Sequence, residues 1–264
     1  MQIGKGGRAV SGMCHAQADR IEVRGRDLTS DLMGRVGFTD YFFLLLTGKE
    51  ASKEQRFFLD LLLVAIAEHG LVPTVQAARM TLAADPGSLQ GAVAAGILGA
   101  GPVILGTSEL CGRLLTLADA KVAAGGEPDA VALALVRGIR EAGGKAPGFG
   151  HPIHKPVDPR AARILALAGE RGVAGRHVVM AGRIERAVAE VWGRPLVMNV
   201  SMPIAAVLLD LDFPAAMMKA IPLLARTASI LAHLAEEQQN PIGFLMAGAA
   251  EAAVVYEKDD AANV

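Results

Sequence analysis

Apolar positions recur at helical spacing almost from end to end of the chain. "RFFLDLLLVAIAEH", "VQAARMTLAA", "LQGAVAAGILG", "ELCGRLLTLADAKVAAGG", "DAVALALVRGIREAGG", "RAARILALAGERG", "RHVVMAGRIERAVAEVWG" and "ARTASILAHLAEEQQ" each read as a helix with an apolar face. The punctuation between them agrees. Ser52 and Gln55 form a capping box ahead of the first, and Gly70 is placed to close it. Thr74 and Ser88 stand where N-caps of the next two belong, and Asp158 with Pro159 makes an N-cap and N1 pair. Strand alternation is scarce, "RIEV" near residue 20 being the best case. The pattern predicts an all-α protein of many short helices. It shows no internal repeat or low-complexity linker, so any domain boundary must fall in a tight turn.

Residues 88–108, "SLQGAVAAGILGAGPVILGTS", carry no charge and imitate a membrane span. They are largely Gly and Ala, and Gly99-Ala100-Gly101-Pro102 interrupts them, so a buried helix followed by a loop is expected instead. The 264 residues are 52% hydrophobic, enough for one large or two modest cores. A formal charge of -1 gives no electrostatic footprint for nucleic acid or an anionic membrane surface. Cys14 and Cys111 are the only cysteines, which predicts no disulfide framework and a reducing, cytoplasmic setting. The N-terminal "MQIGKGGRAV" has no apolar stretch of the secretory type. No metal site is expected.

The densest chemistry lies in "APGFGHPIHKPVDPRAARILALAGERG", residues 146–172. Gly148 and Gly150 let the backbone bend sharply and approach a ligand. Pro152 fixes the chain behind His151, which sits ahead of a helix N-terminus where backbone donors favour anions. Arg160, in the first turn of that helix, can fork onto a carboxylate, and Lys155 can meet a phosphate. The alternative is a loop that merely caps a helix. His69, at a helix end, reads by itself as a cap favoured by the helix dipole. Arg226 interrupts an apolar helix face, so it either meets an internal acid or binds an anion in a pocket. His233 reads as structural, and His15 and His177 have no local support. "GAGPVILG" follows no strand and lacks the Lys-Ser/Thr ending of a phosphate-binding loop.

Taken in order, six blocks resemble the citrate synthase family over roughly Ile21 to Gln239. "VRGRDL" is similar to its "yRGydi", and "GFTDYFFLLLTGKEASKEQ" to "sFeEvayLLLtGelPt". "AEHGLVPTVQAARMTLAADPGSLQGAVAAGILGAG" tracks the D-H-x-L-N-x-S-T-x-x-A-A-R block. "GFGHPIHKPVDPRAA" resembles "GFGHrvYkxxDPRA", the most specific of the six. "NVSMPIAAVLLDLDFP" is similar to "NVDfysgvvl", and "LLARTASILAHLAEEQ" to "faiaRtaGwiaHwlEq". The short length most resembles the bacterial citryl-CoA lyases of this superfamily.

The resemblance implies an α-helical homodimer with a large domain (residues 1–104 and 206–264), a small domain (105–205) and an active site in the cleft between them. It implies a citryl-CoA lyase or citrate synthase-type enzyme, joining or breaking a carbon–carbon bond between a CoA thioester and a 2-oxo acid. CoA enters as co-substrate, with no permanently bound cofactor. His151 takes the role of the histidine that bonds the oxaloacetate carbonyl or the citryl hydroxyl. His69, Arg160 and Arg226 hold substrate carboxylates, and the backbone of Pro147, Gly148, Phe149 and Gly150 lies along CoA with Lys155 nearby. Three positions depart from the family. Ile104 replaces the histidine that stabilises the thioester enol, and Ser201 replaces the aspartate that takes the methyl proton. Ile242-Gly243-Phe244 replaces "IRP", whose arginine reaches a partner's site. A non-catalytic or retooled paralogue that binds CoA esters or polycarboxylates is therefore the alternative. His154, where the family often has tyrosine, is expected at the surface, the alternative being a retooled CoA-thioester enzyme in which it or Ser201 has a new role.

Overall fold

In the computed structural model, residues 9–257 are described, and they divide into two compact units meeting in sequence at Asp60 and Leu61. The first unit contains the few strands. β1 (Cys14–Ala16), β2 (Ile21–Val23) and β3 (Arg26–Asp27) form an antiparallel meander with Cys14 opposite Val23 and Val23 opposite Arg26. The "RIEV" signal thus marks the central strand. A π-helical turn at Leu28–Leu32 is capped by Asp27, and α1 (Phe38–Thr47) follows. Val23, Leu32 and Leu44 are buried together, with Ile21, Leu28 and Tyr41 against them. Gly48 ends α1 in the left-handed conformation and returns its N–H to Leu44.

α2 (Lys53–Ala67) begins with the predicted box: Ser52 N–H donates to Gln55 Oε1 at 2.8 Å and Gln55 N–H to Ser52 Oγ at 3.1 Å. The helix stops at Ala67, not at Gly70. Glu68 accepts the Gly70 N–H, so a side chain supplies the acceptor and His69 is left outside the helix, just ahead of the bend at Gly70.

The second unit comprises α3 (Pro73–Ala84), α4 (Leu89–Leu98), α5 (Thr107–Ala123), α6 (Pro128–Glu141), α7 (Pro159–Glu170), α8 (Arg176–Trp192), α9 (Ser201–Asp210), α10 (Ala220–Gln239) and α11 (Gly243–Ala253). α3, α4 and α10 pack around Ala78, Leu82, Ala92, Ile230 and Leu234. α5 packs against α6, α8 and α9. Thr74 does not cap α3. Val72 is the N-cap and Pro73 takes the first helical position, while Thr74 is buried with its hydroxyl unpartnered among the described residues. Ser88 is the N-cap of α4 but makes no side-chain cap bond.

The membrane-like segment resolves into α4 and a loop. A Cβ at Gly96 would lie 2.7 Å from both Ile230 Cδ1 and the Thr74 carbonyl, so its small residues serve close helix packing. Residues 215–239 are long and apolar enough to cross a membrane by length and composition. Within them, however, α10 packs against α3 and α4 and buries Arg226 and Glu237.

A buried ion pair ties α3 to α10. Arg79 Nε donates to Glu237 Oε2 at 2.6 Å, both side chains being 2% exposed, and Arg79 Nη1 donates to Glu236 at 2.7 Å. The other oxygen of Glu237 accepts the N–H groups of Ile242 and Gly243, starting α11. A Cβ at Gly243 would stand 2.5 Å from Ala83 Cβ. The position that is arginine in the family's "IRP" is here a point of helix contact with no room for a long side chain.

Candidate functional site

Two short loops of the second unit build the candidate site. Residues 147–155 and 196–200 pair as a single antiparallel bridge, Phe149 opposite Met198. Gly150 N–H donates to the Val197 carbonyl at 2.7 Å and Asn199 N–H to the Gly148 carbonyl at 2.8 Å. The Asn199 side-chain amide donates to the Gly150 carbonyl at 3.0 Å. Gly148 and Gly150 take φ of +80° and +87°, which only glycine adopts without cost. The double bend throws His151 out of the pair of loops. Its ring then folds back, and Nδ1 accepts the N–H of Ile153 at 3.1 Å and of His154 at 3.0 Å. With Nδ1 used as an acceptor, a neutral imidazole carries its proton on Nε2.

Asp158 and Pro159 start α7 as predicted, and Asp158 also does something the capping pattern did not reveal. Fully buried, its carboxylate accepts from Arg160 N–H at 3.0 Å, Arg160 Nε at 3.1 Å, Arg160 Nη2 at 2.9 Å and Val200 N–H at 3.1 Å. Burial pushes this carboxyl up, but the Arg160 bonds and charge prevail and hold it below the usual carboxylate range. One side chain thereby fixes Arg160 and the entry to α9, whose first residue is Ser201.

These loops open onto a cavity of about 380 Å³ lined by His69, His151, Arg160 and Arg226 among its polar groups. Ile104 and Ser201 line it as well, with Val72, Val103 and Leu105 on an apolar side. No acidic residue is among the lining. Arg226 resolves the sequence's two options. It is 3% exposed, its Nη2 only approaches the Ile66 carbonyl at 3.5 Å, and Nε and Nη1 have no partner among the described residues. Burial pushes the guanidinium below its usual range, with Glu68 in opposition. An unpaired buried cation of this kind calls for an anion from outside the chain.

His69 is brought to the same cavity by the turn after α2. Glu68 ties that turn to α10, accepting from Ser229 Oγ at 2.6 Å and meeting His233 Nε2 at 3.0 Å. His233 is structural, as expected. So is His177, which is buried with Nδ1 2.8 Å from Asp210. His15 is exposed in the first unit, beside Gln17. Burial, then the charges of Arg160 and His154, push the His69 imidazole below its usual range. Burial and His154 do the same to His151, against the pull of Asp158.

His154 is not at the surface. It is half-buried, its ring centroid 4.3 Å from that of His151 and 5.5 Å from that of His69, and its Nε2 lies 3.4 Å from His69 Nε2. Alternating His151 with His154 around two prolines hid this, because sequence spacing gives no hint that the loop folds back. One ring nitrogen from each of the three histidines lies within 4.8 Å of the others, a spacing a metal ion can bridge. The hydrogen bonds argue against it. His151 Nδ1 is engaged by two backbone donors, so ligation through Nε2 would need an imidazolate, and Arg160 Nη2 stands 3.5 Å from that nitrogen. Lys155 is exposed on the same loop and does not line the cavity. Pro147 and Phe149 are half-buried and Gly148 is buried.

The family model for the citrate synthase C-terminal domain matches residues 10–243, and the chain belongs to the citrate synthase family. It is 34% identical over 187 residues to "Putative citrate synthase 2" of Mycobacterium tuberculosis. That match covers 69% of this chain and 47% of the relative, so the chain spans about half the length of the curated relatives it matches. Among solved structures it is similar to citryl-CoA lyase from Hydrogenobacter thermophilus, with a TM-score of 0.83, 25% identity and 97% of both chains covered. ATP citrate lyase from Methanothrix soehngenii, solved with citrate and coenzyme A, shares the fold at a TM-score of 0.76 and 19% identity. Here 99% of this chain covers 44% of that one.

Proposed function

We propose that the protein is an acyl-CoA enzyme of the citryl-CoA lyase type, making or breaking a carbon–carbon bond between a CoA thioester and an oxaloacetate-like 2-oxo acid. One observation carries this reading: Arg160, Arg226, His69 and His151 converge on a cavity with no acidic lining residue, and buried Arg226 has two nitrogens without a partner among the described residues. In the condensation direction, Arg160, Arg226 and His69 hold the carboxylates of the 2-oxo acid. His151 offers its Nε2 proton to the carbonyl oxygen as the new carbon–carbon bond draws electrons onto it. The Nδ1 bonds leave Nε2 as the nitrogen that acts, and in cleavage the same proton moves from the citryl hydroxyl back to it. CoA enters as co-substrate along the Pro147–Gly150 backbone, with Lys155 available to its phosphates.

The chain acts in this reading as a cytoplasmic homodimer with the large and small domains divided at residues 104 and 205. Met80, Leu89, Leu98, Leu231, Phe244 and Leu245 on α3, α4, α10 and α11 leave apolar surface for a second subunit. A light-scattering mass of one subunit at micromolar concentration would remove the dimer from the proposal.

Ile104 and Ser201 favour a second reading, a paralogue that binds the same ligands with little or no turnover. Neither residue replaces an enol donor or a methyl-proton base. Incubation with citryl-CoA, and separately with acetyl-CoA plus oxaloacetate, distinguishes them. Slow release of thioester product and 2-oxo acid in equal amounts is expected from citryl-CoA. Binding of both ligands without product selects the second reading, and absence of binding rejects both.

A further inference from the structure

Two imidazole nitrogens 3.4 Å apart, His69 Nε2 and His154 Nε2, have room for one proton between them. His154 is not among the residues lining the cavity but adjoins His69 and His151, which are. The rings meet edge to face at 88°. The remaining contacts of His154 hold it there: its ring lies tilted over His151 and its backbone N–H donates to His151 Nδ1. We propose that His154 is a substrate-positioning residue, paired with His69 so that the two imidazoles together take up one proton when a polycarboxylate enters the cavity. The inference rests on the reading of the cavity as a polycarboxylate site.

The charges around the pair make this the expected response. Arg160 and Asp158 face it from α7 and largely cancel through their direct pair. Arg226 faces it from α10, with Glu68 the one opposing charge that acts on it and two of its nitrogens without a partner among the described residues. His151 adjoins it on its own loop, where Lys155 is exposed. Glu68, beside His69, is turned to Ser229 and His233. Without ligand, burial and the guanidinium of Arg160 keep His69 neutral near pH 7. A single carboxylate satisfies Arg226. A second or third leaves negative charge unmatched, and an opposite charge within hydrogen-bonding range favours the protonated imidazole. The pair then holds three protons on four nitrogens, one of them shared, and acts as a third cation present only when the ligand needs it. The second nitrogen distinguishes this from a lone histidine, because the added proton makes a charge-assisted hydrogen bond to it against the repulsion of the arginines.

Calorimetric titration with malate, a dicarboxylate fully ionised over the range used, tests the proposal on the intact protein. In buffers of different ionisation enthalpy at pH 7, uptake approaching one proton per malate is expected. Affinity should rise toward tenfold per pH unit from pH 8.5 to 7. His154→Gln keeps a hydrogen-bonding group beside His69 but cannot titrate. It should bind malate at pH 8.5 within a few-fold of the parent and lose most of the pH dependence. Imidazole nitrogen NMR of the unmodified protein provides a second readout: malate at pH 7 should convert the His69 and His154 signals from neutral to protonated. Binding without proton uptake, or full uptake retained in His154→Gln, overturns the pair and leaves the cavity assignment standing. No malate binding at any pH overturns the cavity assignment itself, and the pair with it.

Discussion

Asp158 grips Arg160 two residues further along the chain with both carboxylate oxygens, Oδ1 to Nε at 3.1 Å and Oδ2 to Nη2 at 2.9 Å. Because the carboxylate is also the N-cap of α7 and the acceptor for Val200 N–H, three parts of the site depend on it. Asp158→Ala should cost about 3–5 kcal/mol of stability, the range for breaking a buried charge pair from one side. Chemical denaturation measures it. Asp158→Asn should keep the cap but weaken the hold on Arg160. The folded carboxyl is held below its unfolded value, so its stabilisation is complete above the unfolded range, near pH 4, and is lost as pH falls through the folded value. The Asn variant should therefore lose less stability than the parent on acidification below pH 4. Equal slopes would show that Asp158 carries no part of the acid limb.

Arg226 presents the opposite balance. Its guanidinium is buried and two of its nitrogens lack partners among the described residues, so its burial is poorly offset in the ligand-free chain. Arg226→Met, similar in length and apolar, should raise the melting temperature of the ligand-free protein. The same change should weaken di- or tricarboxylate binding by the equivalent of about 1.5–3 kcal/mol, the value of a charge-assisted hydrogen bond. CoA binding should change far less. Thermal shift with and without citrate checks both halves. A ligand-free protein destabilised by the change would show that Arg226 has an internal partner.

Gly148 and Gly150 share a left-handed backbone but differ in surroundings. A Cβ at Gly148 would come within 2.8 Å of Cys111 Sγ and of Met202 Cβ, whereas one at Gly150 meets nothing within 4 Å. Gly150→Ala should cost only the conformational strain, about 1–2 kcal/mol. Gly148→Ala should add an overlap against α5 and α9 of about 1–3 kcal/mol and displace the loop that carries His151. Denaturation midpoints of the two variants give the comparison, and equal losses would refute the packing argument.

The helical architecture was legible because it rests on local rules. The box at Ser52 and Gln55, and the Asp158-Pro159 start of α7, form as their side chains dictate. The errors have the same physical origin in each case. Pro73 outcompetes Thr74 for the start of α3, and Glu68 supplies the acceptor that a Gly70 cap would have drawn from the helix. At the site, Arg160 and Arg226 stood out from their local pattern and His69 only through the family resemblance, and the three line one cavity. His154 was missed because its place depends on a backbone reversal made by His151 Nδ1, a bond that spacing does not encode. Asp158 was read only as a cap, since the sequence does not say that its second oxygen reaches Val200, 42 residues away.

The substituted pair yields the last prediction. Ile104 and Ser201 line the same cavity as His151, and the proposed correspondence with the family leaves neither of the two groups it expects there. Condensation from acetyl-CoA must remove a weakly acidic methyl proton and stabilise the enolate that forms. Isoleucine has no donor for the enolate oxygen. Ser201 begins α9 with its N–H donated to Asn199 Oδ1, and no general base stands among its described partners. The unmodified protein should therefore show little synthase turnover. Citryl-CoA cleavage should also be slow, because the departing enolate lacks the same donor. Ile104→His with Ser201→Asp should raise either activity, by up to about 10²–10⁴ if the new carboxylate acts as a positioned base. Each single change should give less than the double, since both groups act on one transition state. Thiol release and 2-oxo acid, followed together for the four proteins, decide the matter. Fast synthase turnover by the unmodified chain would mean that another residue removes the methyl proton.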